Sequence, residues 1–200
     1  DGEASWQRKS GRAEKSCADC HGAAATSMRG VAARYPAFDV QSARPVDLAQ
    51  RINLCVEREQ RAPPLRRESA ELLGLEAFVA LQSRGMPIAP PPDPRLDTPR
   101  ERGAQLYRQR MGQLDLACEQ CHDANAGKRL AGSVIPQAHP TAYPIYRLEW
   151  QALGSLQRRL RGCLTGIRAE PFAYGRGDLV GLQREQGIRR LVQVEDDHSV

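Results

Sequence analysis

The sequence Cys17-Ala18-Asp19-Cys20-His21 recurs in this 200-residue chain as Cys118-Glu119-Gln120-Cys121-His122. Cys-x-x-Cys-His is the pattern of covalent c-type haem attachment. Two thiols about one helical turn apart can bond to the two vinyl groups of one haem, while the adjacent histidine binds the iron. The sequence therefore predicts two covalently bound haem c groups, attached through Cys17 and Cys20 and through Cys118 and Cys121, with His21 and His122 as iron ligands.

Two Cys-x-x-Cys pairs also suit a tetrahedral structural zinc site, and a reactive redox pair is a further interpretation. A zinc ribbon would not require a histidine directly after both second cysteines, and its two pairs usually lie closer together in sequence. We therefore favour haem over zinc.

Composition and charge limit the class of protein. Aromatic residues make up 5% of the chain and the mean hydropathy is −0.56, so side chains alone are poor material for two cores. Haem would supply much of that apolar interior. The net charge of +5 could suit nucleic acid. Four haem propionates would offset most of it, however, and no nucleic-acid-binding motif accompanies the arginines, so an acidic protein or an anionic substrate fits better.

The location follows from the haem motifs. No run of 18 or more apolar residues predicts a membrane span, and no signal peptide is visible. Because haem is attached to Cys-x-x-Cys-His outside the bacterial cytoplasm, we expect a signal removed from the precursor and a periplasmic protein.

A second repeat extends beyond the haem motifs. The interval from Tyr35-Pro36 to Cys55 equals the interval from Tyr143-Pro144 to Cys163. Such matched spacing indicates internal duplication. The sequence predicts a mainly α protein with two tandem cytochrome c-like domains, each built around one covalent haem.

The domain boundaries come from a proline-rich stretch over residues 84–94, where the backbone cannot continue as a helix. We predict a first domain over 1–88, a linker over 89–97 and a second, catalytic domain over 98–200, with 183–200 uncertain. Apolar spacing predicts a helix around 69–81 that Ser69 caps. Thr98-Pro99 predicts the start of a helix leading to the second motif, and strand signals are weak.

A six-coordinate haem needs a second axial ligand. The candidates besides cysteine are Met28, Met86, Met111 and His139. Only Cys55 and Cys163 occur once per half at matched positions, so they are the predicted iron ligands. A disulfide between them and Met86 as ligand of the first haem remain alternatives.

Thiolate ligation favours ferric iron and lowers the reduction potential, which suits simple electron shuttling poorly. A redox-active sulfur at the iron can instead take up another sulfur atom as a persulfide. The ligand set therefore indicates sulfur-compound chemistry.

These residues resemble the SoxA family, the dihaem subunits of the SoxAX cytochromes that initiate thiosulfate oxidation. The resemblance covers about residues 14–175. It rests on segments 15–22, 51–55, 83–87, 112–116 and 159–163, with Arg168 beyond. Two departures are a short segment before the first motif and the loss of apolar spacing over 183–188.

The resemblance implies that Cys163 ligates the catalytic haem as a persulfide and that Arg159 binds the anionic substrate. Thiosulfate would be coupled oxidatively to a cysteine of SoxY, in the carrier SoxYZ, as in an L-cysteine S-thiosulfotransferase. Electrons would pass through haem to a SoxX-type cytochrome c that forms a heterodimer with this chain. By position alone, Arg158 and Arg161 compete with Arg159.

Two alternative functions remain. One is a thiosulfate dehydrogenase that forms tetrathionate, and the other is a plain dihaem electron carrier.

Overall fold

The computed structural model describes residues 1–177 and 180–181. The chain divides into two compact units. Segments 1–91 and 142–155 form the first, and segment 92–141 together with the chain from Leu156 onward forms the second. The tandem haem domains 1–88 and 98–200 stay a prediction, because these units are defined by packing and not by haem content. Our expectation for 183–200 lies outside the described residues.

Short helices and three small hairpins build the two units. In chain order, the helices and strands are α1 (Gly2–Gln7), α2 (Cys17–His21), α3 (Ala24–Ser27), β1 (Ala37–Asp39), β2 (Arg44–Val46), α4 (Leu48–Arg58), α5 (Ala70–Leu81), α6 (Asp97–Arg108), α7 (Cys118–His122), β3 (Arg129–Leu130), β4 (Ser133–Val134), β5 (Ile145–Arg147), β6 (Ala152–Gly154) and α8 (Leu156–Gly166). Short 3-10 turns span Ala32–Arg34 and Pro94–Leu96. Among the described residues, helix predominates, at about 42% against 11% strand.

Side-chain caps explain where two of the helices begin. At the start of α4, Asp47 accepts from the amide of Gln50 at 2.7 Å, and the side chain of Gln50 accepts from the amide of Asp47 at 2.9 Å. Ser69 caps α5 as predicted, since its Oγ accepts from the amide of Leu72 at 3.2 Å. The predicted start of α6 at Thr98-Pro99 was wrong: the helix begins at Asp97, so Thr98 and Pro99 lie in its first turn.

The sequence repeat is also a repeat of local structure. A cis Tyr35-Pro36 bond precedes the β1–β2 hairpin, in which Ala37 pairs with Val46. A cis Tyr143-Pro144 bond precedes the β5–β6 hairpin, in which Ile145 pairs with Gly154. Each hairpin leads directly into a helix that carries a cysteine, α4 with Cys55 and α8 with Cys163.

Glycines allow helices to meet closely in both units. A Cβ on Gly2 of α1 would collide with the carbonyl oxygen of Gly74 in α5. In the second unit, a Cβ on Gly181 would collide with the carbonyl oxygen of Pro99 in α6. Each unit therefore contains one helical contact that only glycine fits.

The apolar clusters around these contacts are small. In the first unit, the cluster contains Trp6, Ala24, Leu48, Leu75 and Val79, with Cys17 packed against it. In the second unit, Leu106 and Tyr107 form the centre, with Cys118 packed against them. Cores of this size agree with the expectation that a cofactor supplies part of the interior. Over the described residues, no helix combines the length and apolar character needed to cross a bilayer.

Candidate haem and anion site

The first attachment motif lies on α2, whose start is fixed by a reciprocal cap. The amide of Asp19 donates to Ser16 Oγ at 3.0 Å, and the amide of Ser16 donates to Asp19 Oδ2 at 2.8 Å. After the motif, Trp6 Nε1 donates to the carbonyl oxygen of Gly22 at 3.1 Å, and its ring centroid lies 5.8 Å from that of His21. The helix thus presents Cys17, Cys20 and His21 within little more than one turn.

The second attachment motif lies on α7, where the amide of Ala117 donates to Gln120 Oε1 at 2.8 Å. His122 Nδ1 is 2.7 Å from the carbonyl oxygen of Pro136. A carbonyl oxygen only accepts, so Nδ1 carries the hydrogen and Nε2 has the lone pair that a metal requires. His122 is therefore oriented and in the right tautomer to bind iron through Nε2.

The other two cysteines each lie near one motif. Burial raises the pKa of the Cys17 thiol, and the proximity of Cys55 raises it further. Burial raises the pKa of Cys118 to about 11, with the proximity of Cys163 as the second cause. The structure thus brings Cys55 to the first motif and Cys163 to the second, and both are half-buried and free of disulfides.

Both sets of residues fit a covalent haem. Each offers a thiol pair on one short helix, an adjacent imidazole and a third sulfur nearby. In residues 1–177 and 180–181, which include all six cysteines, no group of three or more His, Cys, Asp or Glu side chains could hold a metal ion by itself. Met86, the alternative ligand of the first haem, is 36% exposed and lies beside Gly30.

Two arginines and an aspartate surround Cys55 at a cavity of about 320 Å³. Asp39 Oδ1 accepts from Arg51 Nη1 at 2.8 Å and from Arg58 Nη1 at 3.0 Å, and Asp39 Oδ2 accepts from Arg58 Nη2 at 2.8 Å. The Arg58 hydrogen bonds, followed by those of Ser42, hold the pKa of Asp39 well below its usual range. Burial raises the pKa of Cys55, while Arg51 opposes that rise.

Helix α8 carries Arg159 one turn before Cys163, and both side chains are half-buried. Residues four apart share a helix face. Of the two competitors, Arg161 has a structural role: its Nη1 donates to the carbonyl oxygen of Phe172, and its guanidinium lies 4.5 Å from the ring centroid of Tyr174. The helical register therefore favours Arg159 over Arg158 as the arginine beside Cys163. Arg161 is engaged in local packing instead.

Sequence reasoning missed Asp39, Arg58 and Pro136. Nothing in the sequence near Asp39 signals its contact with α4, because the two lie on different elements. Pro136 acts through its backbone carbonyl, which carries no residue-specific signal.

Comparison with known proteins gives a consistent result. A family model described as the SoxA/TsdA cytochrome c domain matches residues 1–88. The L-cysteine S-thiosulfotransferase subunit SoxA of Pseudaminobacter salicylatoxidans is 36% identical over 171 residues, which are 84% of this chain and 60% of that protein. The SoxA subunit of Hydrogenobacter thermophilus is 30% identical over 175 residues, which are 83% of this chain and 67% of that protein. This chain belongs to the SoxA family.

The fold agrees with that membership. The crystal structure of SoxXA from P. pantotrophus matches with a TM-score of 0.88 and 29% identity, covering 94% of this chain and 71% of that one. The SoxA fold is cytochrome c-like, and a cytochrome c domain implies covalently bound haem c. The chain spans about 60% of the length of the Pseudaminobacter relative and 62% of the subunit from Rhodovulum sulfidophilum.

Proposed function

We propose that this chain is the SoxA subunit of an L-cysteine S-thiosulfotransferase, with two covalent haem c groups in tandem cytochrome c-like domains. Cys17, Cys20 and His21 would hold the first haem, and Cys118 and Cys121 with His122 would hold the second. Cys55 and Cys163 would be the opposite iron ligands. One observation carries the proposal. Cys163 lies near Cys118 of the second motif, and Arg159 precedes Cys163 by one turn on α8.

The proposed reaction forms one sulfur–sulfur bond. The terminal sulfur of thiosulfate bonds to a cysteine sulfur of the carrier protein, and the thiol proton and two electrons leave. Haem c, when bound, supplies the one-electron acceptor for those electrons. The guanidinium of Arg159 would bind the sulfonate oxygens, because a planar fork of donors suits an oxyanion. Cys163 would ligate the catalytic haem as a persulfide, as the family resemblance implies.

The partners and location extend the same proposal. The solved relative is SoxXA, which supports a SoxX-type cytochrome c subunit as a heterodimeric partner. A SoxYZ carrier would supply the acceptor cysteine, and the periplasm is where covalent haem attachment would occur. The net charge of +5 suits an anionic substrate.

The alternative function is the thiosulfate dehydrogenase that the sequence also suits. Such an enzyme joins two thiosulfates and needs no carrier protein. Product analysis separates the two: thiosulfate bound to the carrier cysteine supports the transferase, and tetrathionate formed without a carrier supports the dehydrogenase.

The residue roles are tested by Arg159→Ala in the matured protein, with Arg158→Ala as a matched control on the same helix. We expect Arg159→Ala to lower thiosulfate-dependent turnover by about a hundredfold, because the substrate anion loses its charged donors. Arg158→Ala, which makes the same charge change, should retain most of the activity.

Equal losses in the two arginine variants would show a general charge effect and reject the role of Arg159. Cys163→Met tests the sulfur ligand separately, because methionine can still ligate iron but cannot form a persulfide. Retained thiosulfate-dependent turnover in Cys163→Met would reject the catalytic role of Cys163.

A further inference from the structure

The cavity beside Cys55 contains the groups that an anion site requires. Arg51, Cys55 and Arg58 occupy positions i, i+4 and i+7 of α4 and share one face of the helix. All three line the cavity of about 320 Å³. Arg51 stands at the same offset from its cysteine as Arg159 does from Cys163, so the proposed substrate arginine has a counterpart in the first half.

The carboxylate of Asp39 is hydrogen-bonded to the guanidinium groups of both arginines. Asp39 binds Arg51 with one oxygen and Arg58 with both, at 2.8–3.0 Å. Its side chain is only 4% exposed. The amide and hydroxyl of Ser42 donate to Asp39 Oδ2 at 2.8 and 2.5 Å, which fixes the carboxylate in place. Asp39 thus stands where the oxyanion of a substrate would bind.

The repeat places a different residue at this position in the second half. Asp39 is the last residue of β1, and the last residue of β5, the matching strand after the second Tyr-Pro, is Arg147. An acidic residue in one copy is thus a basic residue in the other. The acidic side chain that engages Arg51 has no counterpart at the repeat position of β5.

We propose that Asp39 determines substrate selection between the two cysteine sites: it occupies the anion-binding arginines beside Cys55 and so confines thiosulfate to Cys163. This inference rests on the proposed function. A thiosulfate dianion at Cys55 would have to displace a buried carboxylate held by several charge-assisted hydrogen bonds and would be repelled by its charge. Glu59, on the rim of the same cavity, adds a second negative charge.

The test measures thiosulfate binding to the oxidised, matured protein by titration calorimetry. All proteins in the test carry Arg159→Ala, which removes the proposed binding residue of the second site. The protein with this substitution alone is the parent. Perturbation of the first haem's electron paramagnetic resonance signal reports whether the anion lies beside Cys55.

Asp39→Asn should create a thiosulfate site at the first haem, with a Kd at least about tenfold lower than that of the parent, because two guanidinium groups are released. Glu59→Gln is the matched control. It makes the same charge change at the same cavity, and within the described residues Glu59 forms no ion pair with Arg51 or Arg58. It should change binding at the first haem much less than Asp39→Asn does, because Arg51 and Arg58 stay paired with Asp39.

Adding Arg51→Gln to Asp39→Asn should abolish the new site. The proposal is overturned if a folded Asp39→Asn protein binds no tighter than its parent, or if Glu59→Gln gains as much. If Asp39→Asn fails to fold, thiosulfate binding at the first haem is compared between the parent and Arg51→Gln instead. Thiosulfate binding at the first haem in the parent that Arg51→Gln removes would show that Asp39 does not close the site.

Failure of the proposed function has a different signature. It would appear as absent thiosulfate turnover in the unsubstituted protein, whereas the present inference concerns binding beside Cys55 alone. Failure of the proposed function is therefore measured by turnover at Cys163, and failure of the inference on Asp39 by thiosulfate binding beside Cys55.

Discussion

At the scale of single residues, Glu76 of α5 is an acid that the proposed reaction does not use; the residue is half-buried as a whole, but its carboxyl oxygen Oε2 is buried. Within residues 1–177 and 180–181, that oxygen has no hydrogen-bond partner. Burial raises the pKa of Glu76 to about 8, and the nearby charge of Asp47 raises it while Arg67 opposes the rise. Glu76 is therefore protonated in the native state at neutral pH, which avoids an uncompensated buried charge.

This pKa shift predicts how stability changes with pH. The unfolded-state pKa is about 4.5 and the native one about 8, so the unfolded chain binds fewer protons between these values. The free energy of unfolding should therefore fall as pH rises from 5 to 8. Glu76→Gln removes this contribution, and its stability relative to the unsubstituted protein should rise by about 1–4 kcal/mol over that range. Denaturant unfolding of the matured protein at several pH values measures it.

A control for Glu76→Gln is Glu57→Gln, which removes a carboxylate from an exposed position of α4. That variant should follow the pH dependence of the unsubstituted protein. If Glu76→Gln also follows it, Glu76 is ionised in the native state and the buried-acid interpretation is rejected.

At the scale of elements, the contact between α6 and Gly181 should limit the stability of the second unit. Gly181→Ala places a Cβ against the carbonyl oxygen of Pro99, and we expect a loss of about 1–3 kcal/mol from the resulting shift. Gly162→Ala is the matched control, since no atom lies within 4 Å of the added Cβ. Inside α8 it should stabilise by about 0.5–1 kcal/mol through helix propensity. Denaturant midpoints of both variants give the comparison, and equal effects would show that the close contact is not maintained in solution.

The helices show which elements the sequence could predict. The apolar spacing of α5 and its Ser69 cap are local, so the predicted start agrees with the structure. The start of α6 was misplaced because the preceding 3-10 turn, Pro94–Leu96, continues directly into the helix. The three hairpins were missed because their strands contain only two or three residues, too few to show alternation.

The same distinction applies to the candidate site. Covalent haem attachment requires contiguous residues, so Cys17–His21 and Cys118–His122 were visible in the sequence. Matched spacing also predicted Cys55 and Cys163 as iron ligands; the structure places Cys55 near Cys17 and Cys163 near Cys118, and the ligand roles stay a prediction. The contacts of Asp39 with α4 depend on how a hairpin packs against a helix, and sequence periodicity does not encode them.

At the scale of the whole molecule, the proposed two haems give the most direct prediction. Protein matured with its haem-attachment machinery should carry two covalent haems per chain by intact mass and by haem absorbance in alkaline pyridine. Replacing Cys118 and Cys121 by alanine should leave one haem, and replacing Cys17 and Cys20 should leave the other, because each pair attaches its own cofactor. A count of one in the unsubstituted protein would reject the tandem haem arrangement.

Peptide mapping of the same sample should locate an extra sulfur atom on Cys163 and none on Cys55, since only the second site is proposed to take thiosulfate. Extra sulfur on Cys55 would contradict selection by Asp39.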